Sequence, residues 1–78
     1  MSYEDWSVGD AFGVKETMLV SVENGTSLEQ RLIDGSVIGT ILSVLIHINY
    51  MHVMIKGIQG TIMLRHDQFD KLIKIPPS

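Results

Sequence analysis

Three histidines, His47, His52 and His66, and no cysteine stand in this chain, so few side chains could bind a metal or move a proton near neutral pH. His47 and His52 flank Asn49-Tyr50. If the chain reverses there, the two imidazoles become cross-strand neighbours, with His66 or Asp67 as the third ligand in reach. That spacing defines a candidate polar or metal site at His47, His52 and His66. The commoner state of such residues is a partly exposed strand histidine, and no cofactor is expected. No nucleophile stands beside a base and an orienting acid, and no glycine-rich phosphate loop occurs. Glu4-Asp5 reads as a solvated pair, so the chain is expected not to be an enzyme.

The elements that must hold these residues lie in Val37 to Leu64, which has no formal charge from Val37 through Ile55. The uncharged run just reaches the length of a membrane helix. His47, Asn49 and His52 interrupt it, and no basic cluster flanks it on the N-terminal side. A soluble helix is disfavoured by its Val, Ile, Thr, Tyr and His content. As strands it reads well. A turn at Asn49-Tyr50 sets Ile48 opposite Met51, Ile46 opposite Val53 and Val44 opposite Ile55 on one face. His47 opposite His52, Leu45 opposite Met54 and Ser43 opposite Lys56 fall on the other. A second turn at Gly57-Ile58-Gln59-Gly60 sets Ile55 opposite Ile62, Val53 opposite Leu64 and Met54 opposite Met63. Leu45, Met54 and Met63, extended by Ile41, should then form an exposed apolar ridge, the expected oligomer or partner surface.

At 78 residues the chain is expected to be one domain, near the size at which a single core needs support from oligomerisation or a ligand. Residues 1–16 read as an N-terminal segment that docks Trp6, Val8 and Phe12 on the core. The barrel is expected over 17–75 and a tail over 76–78. Even-numbered alternation through Met18, Val20 and Val22 predicts a first strand over Met18 to Glu23, ending at the turn pair Asn24-Gly25. Thr26 to Gly35 reads as a long irregular loop or a brief helix, with a capping-box pattern at Ser27 and Gln30 and an i,i+4 pair in Leu28 and Leu32. A plain hairpin closed at Asn24-Gly25 would set Val22 against Ser27 and Val20 against Glu29, a poor match. After Arg65-His66, Asp67 can cap a single turn, with Phe69, Leu72, Ile73 and Ile75 facing inward and Pro76-Pro77 ending the last strand.

Residues 1–36 carry seven acids and two bases, and residues 37–78 four bases and two acids, for a net charge of −3. That balance argues against strong DNA binding. The acidic opening Met1-Ser2-Tyr3-Glu4-Asp5 does not look like a signal peptide, so a cytoplasmic setting is expected.

The succession of strand, long loop, strand, short turn, strand, glycine hairpin, strand, 3₁₀ turn and short strand over residues 17 to 75 resembles a five-stranded SH3-like barrel. The resemblance implies a mainly all-β fold and no particular activity. The aromatic set of proline-peptide-binding SH3 domains is not evident. A second resemblance, to the LSm/Hfq family, rests on Val20-Ser21-Val22-Glu23-Asn24-Gly25, Gly39-Thr40-Ile41 and Leu64-Arg65-His66. It implies an RNA-binding ring that would use Lys56, Arg65 and His66. The leading expectation is a non-enzymatic protein-binding, accessory or inhibitor module of phage or plasmid type. It would act through the apolar sheet face and the acidic N-terminal half, with itself or a host protein as partner.

Overall fold

The computed structural model describes residues 6–76. Seven strands follow one another: β1 Ala11–Val14, β2 Met18–Asn24, β3 Ser27–Ile33, β4 Gly39–Leu45, β5 Tyr50–Ile55, β6 Thr61–Arg65 and β7 Leu72–Ile75. Two 3₁₀ turns, Ile46–Ile48 and His66–Lys71, lie between them. All strands join one antiparallel sheet in the order β3-β2-β6-β5-β4-β1-β7. The mainly β expectation therefore holds, but the sheet has seven strands and is open, where the sequence reading expects five. Among the described residues no helix is long and apolar enough to cross a membrane.

Period-two alternation explains which side is buried. Phe12 and Val14, Met18, Val20 and Val22, Ile33, Ile41, Met51, Val53 and Ile55, Ile62 and Leu64, and Leu72 form one core. Every strand thus contributes to the same face, and Trp6 and Phe69 complete the cluster. Phe12 pairs with Gly39, and its ring lies where a Gly39 Cβ would be. Only glycine lets the ring cover the strand there.

The N-terminal segment docks through Trp6, which meets Phe12 edge-on at 6.4 Å, whereas Val8 is exposed. Asp10 fastens the entry: its Oδ2 accepts from the Ser7 N–H at 2.9 Å and faces Lys74 Nζ at 3.4 Å. The same lysine lies over the Trp6 ring at 5.3 Å. These contacts, the Ser7 amide first, hold the Asp10 carboxyl below its usual range. Asp34 is lowered by the Ser36 hydroxyl and amide.

Several sequence expectations are corrected. The loop expected over Thr26 to Gly35 is mostly strand β3, paired with β2 from Met18 opposite Ile33 to Asn24 opposite Ser27. The turn is Gly25-Thr26, with Gly25 at φ 67°. Val22 therefore meets Glu29 and Val20 meets Arg31. β3 lies past the core's rim with only Ile33 buried, so it carries no inward apolar alternation by which to recognise it.

The hairpin expected at Asn49-Tyr50 closes differently. Ile46–Ile48 winds into a 3₁₀ turn, and Asn49 ends it in the left-handed conformation. Ile46 and Ile48 are exposed; Val44 pairs with Met51 and Leu45 with Tyr50. A bulge between Ile41 and Ser43 moves the register again, so Ile41 meets Val53 and Thr40 meets Met54. In the next hairpin Val53 faces Ile62 and Met51 faces Leu64, one pair along from expectation but on the expected faces. Phe69 and Leu72 are buried as read, whereas Ile73 is exposed. Pro77, Ser78 and the Glu4-Asp5 pair lie outside the described residues.

Gly57 and Gly60 both have positive φ, but only a Gly60 Cβ would strike the Glu23 backbone carbonyl. Gly57→Ala should cost about 1–2 kcal/mol of left-handed strain, and Gly60→Ala about 1–3 kcal/mol more from overpacking. Equal urea midpoints for the two variants would contradict this. Depressed carboxyls stabilise the fold fully above the unfolded value of 3.8, and the gain is lost as pH falls through their folded values. Asp10→Asn should therefore flatten the acid limb of a stability-versus-pH curve.

Candidate functional site

On the solvent side of the sheet, the registers align side chains in rows across the strands. The middle row runs Ser43, His52, Met63, Ser21, Gln30 from β4 to β3. A row to one side holds Leu45, Tyr50 and Arg65, and at the same level of the β2–β3 hairpin stand Leu19 and Leu32. On the other side Thr40 pairs with Met54, and Thr61 leads to Glu23 and Leu28.

Between the β2–β3 hairpin and the β5–β6 hairpin these rows enclose a groove of about 330 Å³. Leu19, Leu28 and Met63 supply its apolar surface, and Tyr50, Arg65, Gln30 and Glu23 its polar groups. Gln68 shapes its end. The β2–β6 ladder ends at Ser21 opposite Met63, so Leu19 and Arg65, the next pair along, are not joined directly. Gln68 Nε2 donates to the Leu19 carbonyl at 2.7 Å, and Gln68 Oε1 accepts from the Arg65 N–H at 2.9 Å. The amide side chain acts as one further peptide unit of the sheet, and it is buried.

The three histidines do not come together. His47 is exposed in the 3₁₀ turn, His52 is half-buried on β5 between Ser43 and Met63, and exposed His66 stacks edge-on with Phe69 at 5.6 Å. Among the described residues no three His, Asp or Glu side chains could hold a metal ion. The cause is the corrected hairpin: Ser43, not His47, stands opposite His52.

The expected ridge is also dispersed. Ile41 is fully buried in the core. Leu45, Met63 and Met54 fall in three different rows, and Met54 alone of them is strongly exposed. Leu28 and Leu32, at 68% and 69% exposure, are outward apolar residues that form no part of the expected ridge, and so are Leu19 and Tyr50. Lys56 and Arg65 lie near opposite ends of β5, roughly 20 Å apart at strand rise. Arg65 Nε reaches Asp67 at 3.4 Å on the surface, and with Tyr50 and His66 it lines a shallow recess beside the 3₁₀ turns.

The chain matches no protein-family model, no curated protein and no solved structure.

Gln68→Ala would leave the Leu19 carbonyl and the Arg65 amide without their partner. The expected loss is about 1–3 kcal/mol in urea unfolding. A loss under about 0.5 kcal/mol would mean that water replaces the amide without penalty.

Proposed function

We propose that this chain is a non-enzymatic protein-binding module of the small SH3-like barrel type, docking a partner in the outer-face groove. The succession β7-β1-β4-β5-β6, with a hairpin inserted after β1 and a 3₁₀ turn before β7, supports the barrel reading. In that reading β1, not β2, is the first barrel strand, and β2–β3 is the long first loop.

The groove carries the functional reading. Leucine and methionine surface beside Tyr50, Arg65 and Gln30 is the mixture that protein interfaces favour, an apolar centre with polar groups to orient a ligand. Methionine adapts to irregular partners, and tyrosine and arginine are common binding anchors. The acidic N-terminal half contributes less than its charge count suggests. Asp10 and Glu16 face Lys74 and Lys71 within 3.5 Å, which leaves the face near them close to neutral.

A second reading, an LSm/Hfq-like RNA-binding ring, is favoured by the recess in which Tyr50 stands beside Arg65 and His66, since aromatic stacking with a cation suits an unpaired base. Lys56 is too distant to join it.

Immobilised chain should retain a host protein in both nuclease-treated and untreated lysate. A Tyr50→Ala/Met63→Glu bait of unchanged thermal stability should bind that protein roughly tenfold more weakly or worse. Retention that nuclease abolishes, together with oligo-U or oligo-A filter binding lost in Arg65→Ala, would replace this reading with the RNA one.

A further inference from the structure

We propose that two copies of this chain pair through β3, antiparallel and centred on Gln30, to form a closed twofold dimer. This inference rests on the backbone edge and charges of β3, and of its residues only Leu28 and Gln30 also line the groove. β3 is one edge of the sheet, and its residues from Ser27 to Leu32 are all exposed. An uncovered edge of seven residues is a template for another strand.

The chemistry of the strand selects the strand that fits. Ser27-Leu28-Glu29-Gln30-Arg31-Leu32-Ile33, laid against itself about Gln30, sets Leu28 opposite Leu32 of the second copy and Glu29 opposite Arg31 of the second copy. Each pairing occurs twice by symmetry, so the patch is self-complementary, as a twofold interface must be. Among the described residues neither Glu29 nor Arg31 has an ion-pair partner within its own chain.

The backbone parity agrees. A two-residue turn at Gly25-Thr26 closes on Asn24 opposite Ser27, the pair bridged by the turn's own hydrogen bond. Hydrogen-bonded pairs alternate along an antiparallel ladder, so Ser27, Glu29 and Arg31 direct their amides and carbonyls to β2. Leu28, Gln30 and Leu32 direct theirs to the open edge. Gln30 against Gln30, and Leu28 against Leu32, are then hydrogen-bonded pairs in the dimer. On the outer face Leu19, Leu32 and Leu28 of the second copy stand in one row, and the symmetric row doubles it. Leucines exposed in the single chain become a shared apolar stripe.

Sedimentation of the full chain should show a dimer. Glu29→Arg and Arg31→Glu, each judged folded by an unchanged circular-dichroism spectrum, should weaken dimerisation on the order of tenfold or more by setting like charges opposite each other twice. Mixing the two variants should restore a dimer as a heterodimer, and the E29R/R31E double variant should dimerise alone. A monomeric wild type, or a dimer indifferent to both charge reversals, overturns the proposal. Because neither Glu29 nor Arg31 lines the groove, failure of these tests leaves the groove reading standing.

Discussion

A single sheet has one dry side, and that constraint governs this molecule. All seven strands turn the same parity inward, so residues as distant in sequence as Phe12 and Leu72 share one core. A flat single sheet would leave that face wet, so the strands must twist and curl over it. Phe12 over Gly39 and the Gly60 turn against Glu23 are points of closest approach that this curl demands. In turn the outer side is relieved of any duty to the core. Its rows of Ser, His, Met, Tyr and Arg are what the chain can present to something else.

The same constraint explains what could be read from the sequence. Parity was legible wherever a strand is half buried. Met18, Val20 and Val22, Val53 and Ile55, and Ile62 and Leu64 all face inward as alternation requires. Parity alone does not choose among registers, because a slip of two residues leaves every side chain on its face. The β5–β6 ladder slipped in that way. The β4–β5 ladder slipped further, since the uncharged run hides both the bulge at Leu42 and the 3₁₀ turn at Ile46–Ile48. Exposed isoleucines in that turn imitate the alternation of a strand. The candidate site suffered most, because cross-strand neighbours are a property of register.

Two further residues show where local pattern loses to tertiary context. Gln68 looks like one more polar residue after a strand, and nothing local announces that it completes a ladder for Leu19 across 49 positions. Charge placement misled in another way. The acidic first part and the basic last part suggest a docking face, yet the antiparallel β1–β7 pairing brings Asp10 to Lys74. The asymmetry along the chain is partly consumed in folding. That is the behaviour expected where oppositely charged ends of a chain become neighbours in the fold, although such exposed pairs add little stability individually.

The two free edges of the sheet are built differently, and the difference bears on how the molecule can assemble. β7 has four residues, among them Lys74, and leads into Pro76. A short strand with a lysine and a following proline cannot extend a ladder far. β3 is nearly twice as long and contains no proline or glycine. Its charges alternate in sign rather than repelling a copy of itself. An edge of one kind at each end would allow copies to add head to tail without limit. With only β3 open and complementary to itself, the proposed pairing would use up that edge in the first step and leave the blunted β7 outermost on both sides, so it would stop at two.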